Sequence, residues 1–353
     1  MKSTFEALPT GSSVALAFSG GKDSTASASL LLAAGHQVVA VTMFLGLDGD
    51  DERMWACCQL AKLLGMKWLA IDCRELFQKR VIEYVLETYA LGLTPNPCAL
   101  CNRELKFADF MSRALDLTGC RYFATGHYAA MRQDPGGILL VEPFELNKSQ
   151  IYFLALVNPG LMNRVCFPLA EVGLSEVREI VNGLPLANKR ESQDACFLGG
   201  GNMADFLRKM KPELFFPGSF VNSTGEEIGR HQGVARFTIG QRRGTKMAAG
   251  KRLYVTAVDL QNNSVTLGPR EELFCRELKL NQVVIWKKTD PAAELLVKTR
   301  SSARPVPVIL QDSAEGSMSL RFFTPMQTVT PGQIAVLYQQ GAIIAAGFIT
   351  RYS

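Results

Sequence analysis

A chain of 353 residues is long for one hydrophobic core, so two or three domains are expected. With 47% hydrophobic and 20% charged residues it is an ordinary globular composition, which excludes a disordered or fibrous protein. The net charge of +5 admits an acidic partner without requiring one, and no apolar run approaches the roughly 20 residues that span a bilayer, so no membrane partner is expected.

Residues 14–18 are a short apolar run that ends at glycines, as a buried parallel strand does. Residues 25–34, rich in Ala, Ser and Leu, read as a helix closed by Gly35. A second strand over 38–44 and a helix over 53–64, stopped by Gly65, follow, then a strand over 67–72 and a helix over 75–89. A long loop carries Pro95 and Pro97; helix resumes over 104–117 and a strand over 122–125. This βαβα rhythm predicts an α/β domain built on a doubly wound parallel sheet. Beyond about residue 200, short β-rich pieces (252–259, 264–268) are separated by turn residues, and from 277 onward β-branched runs alternate with Pro/Gly breaks. That spacing predicts a small C-terminal antiparallel barrel. The expected division is an N-terminal domain over 1–200, a small central domain over 201–268 and a barrel over 269–353.

Nine cysteines are an odd number in a chain too large to need disulfide staples, and residues 1–6 lack a signal-peptide core. A cytoplasmic location with reduced thiols is expected. Cys57, Cys58, Cys73, Cys120, Cys166 and Cys275 read as small core residues. Between Gly229 and Arg252 stand seven basic residues and no acidic one. Such a stretch fits a solvated face; interleaved with Phe237 and glycines, it also suits a surface that tracks a nucleic-acid backbone.

Ser19-Gly20-Gly21-Lys22-Asp23-Ser24 follows a strand and opens a helix. Its glycines let backbone approach a phosphate, the helix start offers unpaired N–H groups, and Lys22 adds charge. It lacks the Gly-Lys-Ser/Thr ending of a Walker loop. The plain alternative is a glycine turn before a helix. The motif resembles the loop of the PP-loop ATP pyrophosphatases, which implies ATP as co-substrate, with Asp23 holding Mg²⁺ or orienting the loop.

Four further motifs follow in order: Asn96-Pro97-Cys98-Ala99-Leu100-Cys101-Asn102, Ala124-Thr125-Gly126-His127-Tyr128, Ser192-Gln193-Asp194-Ala195-Cys196-Phe197 and residues 237–244. Thr330-Pro331-Gly332-Gln333 comes near the end. With the first loop, they resemble the bacterial tRNA-uridine 2-sulfurtransferases, the MnmA family, over nearly the whole chain. The resemblance implies ATP-dependent 2-thiolation of a wobble uridine in tRNA. It makes Cys196 the acceptor of persulfide sulfur from a cysteine desulfurase or sulfur-relay protein. Cys101 becomes its partner thiol, ending in a transient disulfide with Cys196. Ala17, Phe18, Ser19, Gly20, Gly21, Lys22, Asp23, Ser24, Met43 and Gly126 fall where the family binds ATP. Asn96, Pro97 and Cys98 fall where it holds the target base, and His127, Lys148, Ser149, Gln150, Arg300, Ser301 and Gln333 at its tRNA contacts. A thiolate reacts better than a thiol, so a nearby cation or helix start is expected to lower the pKa of both cysteines.

The chain departs from the family pattern at Lys22, often Val, at Ser149 within the usual Lys-Asp-Gln, and at Cys98, Asp in some relatives. Cys98, Cys101 and Cys196 together could instead supply three thiolates to an iron–sulfur cluster. A PP-loop ligase of the lysidine-synthetase kind would need neither Cys101 nor Cys196, and a silent RNA-binding protein would bind tRNA without releasing pyrophosphate. His127 reads either as an RNA contact or as a satisfied core histidine.

Overall fold

The structure, a computed structural model, describes residues 8–185, 195–245, 252–327 and 329–350. The first seven strands are β1 (Ser13–Ala17), β2 (Gln37–Phe44), β3 (Lys67–Asp72), β4 (Tyr122–Thr125), β5 (Ala130–Asp134), β6 (Gly137–Val141) and β7 (Val165–Cys166). Five of them form a wholly parallel sheet of order β3-β2-β1-β4-β7. Alternate strand residues point to opposite faces, and both faces are covered. Val14, Leu16 and Ala40 pack with helices α1 (Lys22–Ala33) and α2 (Asp50–Leu63). Ala15, Val41 and Phe123 pack with two longer helical runs, α3 over 74–90 and α4 over 97–118. Strand order reverses at β1, with β2 and β3 on one side and β4 and β7 on the other. The loops after β1 and β4 therefore part and leave a crevice at the carboxyl ends of the strands, where doubly wound sheets take ligands.

The sequence reading starts α4 at 104, but the helix begins at Pro97. Asn96 caps it, its Oδ1 accepting from the Ala99 N–H at 3.1 Å, and Pro97 occupies the first turn, where a missing N–H costs nothing. Cys98 and Cys101 thus stand in the opening turns of a helix instead of a loop. The run then widens to i→i+5 hydrogen bonding over Asn102–Phe110 before Met111–Thr118 returns to α geometry.

Six antiparallel strands close the C-terminal barrel: Phe274–Ile285, Ser317–Gln327, Val306–Ala314, Leu296–Lys298, Ile334–Gln339 and Ala342–Ile349, the last pairing back with the first. Ile334–Gln339 is buried along its whole length because each of its faces has a partner. Ala335 and Leu337 fill the barrel, while Ile334, Val336 and Tyr338 join the core of the N-terminal layer. The Trp286 indole donates to Ala155 O at 2.7 Å and the Tyr152 hydroxyl to Ile334 O at 2.7 Å across this seam. The β5–β6 hairpin, which the sequence reading passes over, extends the barrel sheet, with Val141 opposite Ala342.

Between these units, Gly218–Val221, Glu227–His231, Tyr254–Asp259 and Ser264–Gly268 make a four-stranded sheet. Phe237 is not a nucleic-acid face here: it is 8% exposed and packs edge-on against Phe220, centroids 5.1 Å apart, with His231 beside it. The arginines around it (Arg230, Arg236, Arg242, Arg243, Arg252) lie at or near the surface. Lys246 and Lys251 lie outside the described residues.

Candidate active site

The loop after β1 closes on its own hydroxyls. Ser24 Oγ donates to Gly21 O at 3.0 Å and accepts from the Ser19 N–H at 3.3 Å, and Thr25 Oγ1 donates to Gly21 O at 2.8 Å. From β4, Gly126 presses onto the start of α1. A Cβ there would stand 2.9 Å from both Asp23 C and Ser24 N, so only glycine lets the two loops meet. The Tyr128 hydroxyl donates to Asp23 Oδ1 at 3.2 Å.

These loops wall a cavity of about 470 Å³ lined by Ala17, Phe18, Ser19, Asp23, Ser24, Met43 and Gly126. Its apolar side is Val41, Met43, Leu45, Leu47 and Phe110, a surface fit for a planar base. Asp50 and Arg53, absent from the sequence reading, shape the rim. Asp50 Oδ2 accepts from the Leu45 N–H at 2.8 Å, and Arg53 bridges Asp50 and Met43 O. A second cavity, about 820 Å³, adjoins the first and reaches Gly21, Lys22, Pro97, Cys98, Asn147, Lys148, Ser149, Phe197 and Ser301. Ser19, Asp23, Ser24, Arg53, Cys101, Lys106, His127, Gln150 and Cys196 line both. Gly20 belongs to the turn and lines neither.

Cys101 and Cys196, remote in sequence, therefore line the same cavities. Cys196 opens the short turn Cys196–Leu198, anchored by Phe197 against Phe206 and Phe77, centroids 4.8 and 6.3 Å away. Ser192, Gln193 and Asp194, the rest of its motif, lie outside the described residues. All nine cysteines are free thiols, so Cys101 and Cys196 are not joined.

Lys106, which the sequence reading misses, lines both cavities. In an α-helix residue i+5 points about 140° away from residue i; the wider i→i+5 turn after Cys101 brings it back toward the same face. Its ammonium stands 3.4 Å from His127 Nε2. A cation can only donate, so Nε2 accepts and the imidazole proton sits on Nδ1, donated to Thr125 Oγ1 at 2.8 Å. Burial first, and Lys106 second, hold His127 neutral. Both of its nitrogens are satisfied by the protein, yet its ring lines both cavities.

The thiol pKa values run against the sequence expectation. Burial pushes Cys101 up to about 12 and raises Cys98 and Cys196 as well, while Lys106 pulls all three the other way. Desolvation of a sulfur anion outweighs one ammonium in this crevice. Lys106→Met removes the opposing charge, so the thiols titrate higher still. Alkylation at pH 8 is expected to slow, because less of each thiol is ionised. Lys106→Arg should restore most of it; a pH–alkylation profile identical to the unaltered protein's would remove Lys106 from this role.

The family model described as tRNA methyl transferase HUP domain matches residues 12–200. Models described as tRNA methyl transferase PRC-barrel domain and aminomethyltransferase beta-barrel domain match 204–269 and 275–349. The tRNA-specific 2-thiouridylase MnmA of Pelotomaculum thermopropionicum is 36% identical over 354 residues, covering 95% of this chain and 96% of the relative. That of Chloroflexus aggregans is 38% identical over 355 residues, covering 96% and 98%. The chain belongs to the MnmA family.

Several positions at which MnmA resemblance implies RNA contact are engaged inside the protein. Asn96 is 5% exposed and caps α4, and its Nδ2 donates to Gln333 Oε1 at 3.2 Å. Gln333 Nε2 in turn donates to Pro95 O at 2.8 Å and Thr94 O at 3.3 Å. The Gln333 amide thus braces the segment that leads to Cys98. Gly332, at φ 89°, would put a Cβ 2.8 Å from Thr94 O, so the Thr330–Gln333 motif can dock against this segment only with glycine. Arg300 Nη2 donates to Thr330 Oγ1 at 2.5 Å and is turned toward the same clamp, while its neighbour Ser301 borders the larger cavity. Ser149 Oγ donates to Glu142 Oε2, and Gln150 Oε1 accepts from the Tyr128 N–H at 2.9 Å. Lys148, Ser149 and Gln150 nevertheless border the larger cavity, as do Pro97 and Cys98.

Among the described residues no three His, Cys, Asp or Glu side chains are grouped to hold a metal ion. The three-thiolate cluster alternative lacks its assembled ligand set, although Cys98, Cys101 and Cys196 share the larger cavity.

Proposed function

We propose that this protein is an ATP-dependent tRNA-uridine 2-sulfurtransferase that makes 2-thiouridine at the wobble position. One observation carries the reading: Cys101 and Cys196 line the same cavity as Ser19, Asp23 and Ser24 of the loop. A uridine carbonyl oxygen is a poor leaving group until an adenylyl group is attached, and the loop is suited to grip the pyrophosphate that this step releases. ATP binds with its adenine on the apolar side of the smaller cavity. Mg²⁺ arriving with it would be held by Asp23 and would neutralise phosphate charge. Sulfur then comes from a persulfide on Cys196, loaded by a cysteine desulfurase or relay protein. The terminal persulfide sulfur attacks C2 and AMP departs with the former carbonyl oxygen. The Cys101 thiolate next attacks the Cys196 sulfur, leaving sulfur on the base and a Cys101–Cys196 disulfide. Lys106 favours each sulfur anion along this course.

Two of the matching domain descriptions speak of methyl transfer, but a pyrophosphate loop beside two thiols suits ATP-activated thiolation, and the relatives matched over nearly the whole chain are 2-thiouridylases. A lysidine-synthetase-like ligase is the nearest other reading, and it would survive loss of both cysteines. Among the described residues no helix is long and apolar enough to cross a membrane. Free thiols throughout fit a reducing cytoplasm. The deciding experiment is nucleoside mass spectrometry of tRNA incubated with the protein, ATP, Mg²⁺, a cysteine desulfurase and cysteine. Formation of 2-thiouridine is expected; lysidine or a methylated base in its place would reject the proposal.

The surface arginines of the central domain are proposed to follow the RNA backbone. Each arginine withdrawn from a phosphate should flatten the dependence of log affinity on log salt by somewhat less than about one unit. Arg242→Ala with Arg243→Ala should therefore lower tRNA affinity and the salt slope together, with ATP binding unchanged. An unchanged slope beside a lowered melting temperature would make these arginines structural.

A further inference from the structure

We infer that Cys98 is a resolving thiol, which attacks the Cys101 sulfur of the spent Cys101–Cys196 disulfide and frees Cys196 for the next sulfur. The inference rests on the persulfide reading above. Its ground is the arrangement of three thiols around one cavity. Cys98 and Cys101 are three residues apart on one helix, where Cβ atoms lie about 5–6 Å apart. A disulfide needs about 4 Å, a small closure for a helix's opening turn, whose first N–H groups are outside the intrahelical ladder. Cys98, Cys101 and Cys196 all line the larger cavity. Cys98 does not line the smaller, nucleotide-sized cavity, whereas Cys101 and Cys196 do. Cys98 and Cys196 are solvent-exposed and Cys101 is half-buried. A disulfide that includes Cys98 is therefore one that a dithiol in solution can reach.

The exchange balances within the protein. Cys98 loses its proton to solvent and its sulfur donates an electron pair to Cys101 Sγ. The Cys101–Cys196 bond breaks, and Cys196 leaves as a thiolate beside the Lys106 ammonium. Two electrons from an external dithiol reductant then reopen the Cys98–Cys101 disulfide.

The test is disulfide mapping by mass spectrometry after acid quench and alkylation. A single turnover of persulfide-loaded enzyme with tRNA and ATP, without reductant, is expected to leave Cys98–Cys101 joined and Cys196 alkylated. In Cys98→Ser, and in Cys98→Ala as a second variant, the bond found should be Cys101–Cys196. Later turnovers with a protein dithiol should then fall about tenfold below that variant's own first turnover. A persistent Cys101–Cys196 bond in the unaltered enzyme, or Cys98 variants that keep pace after the first turnover, overturns the inference. A tRNA-free arm, oxidation by one equivalent of diamide, separates it from the reading it rests on. Cys98–Cys101 should accumulate there whether or not the base is thiolated, and Cys101–Cys196 as the stable product overturns the exchange.

Discussion

Cys196→Ser is expected to lose 2-thiouridine formation by on the order of 10³-fold or more, the scale seen when a nucleophile is removed from a concerted set. ATP-dependent release of pyrophosphate in the presence of tRNA should persist in the same variant. The separation follows from position: Cys196 borders the nucleotide cavity but makes none of the bonds that close the Ser19–Ser24 loop. With a cysteine desulfurase and labelled cysteine, peptide mapping should find label on Cys196 and none in the variant. Undiminished label on Cys101 in the Cys196→Ser protein would falsify the assignment of Cys196 as persulfide carrier.

Asp23→Ala is expected to do the reverse. Activation should fall by about 10²–10³-fold, the usual effect of deleting one electrostatic contact at a reacting centre, while persulfide still forms on Cys196. Asp23 stands in the first turn of α1, receives the Tyr128 hydroxyl and borders both cavities. Removing that hydrogen bond costs about 1 kcal/mol of stability, too little to unfold the domain. Pyrophosphate release and desulfurase labelling, measured side by side, check the division. If the two variants lose activation equally, activation and sulfur delivery are not separable steps.

The sheet and the loops at its edge can be read from the chain because their causes are local. Val14 to Leu16 is apolar at every position, the mark of a strand covered on both faces, and Gly20 and Gly21 interrupt it where α1 begins. The prolines near 96 mislead for an equally local reason: Pro97 serves a loop and a helix's first turn alike, and only the bond from the Ala99 N–H to Asn96 decides between them. Lys106 gives no sign in sequence, since its approach to Cys101 depends on a widened helical turn and a histidine from another strand's loop.

The sequence by itself determined the parallel α/β core, the later β-rich units and the residue types for nucleotide and thiol chemistry. Strand length, alternation and glycine placement are nearest-neighbour properties, so they survive in a linear text. Only the tertiary structure decided that Cys98, Cys101 and Cys196 share a cavity and that Lys106 opposes a burial strong enough to raise all three thiol pKa values. It also decided that Gln333, over two hundred residues away, bonds through its amide to the segment before Cys98. Desolvation and hydrogen-bond partnership depend on what folds against a group from elsewhere in the chain, and no local pattern records that.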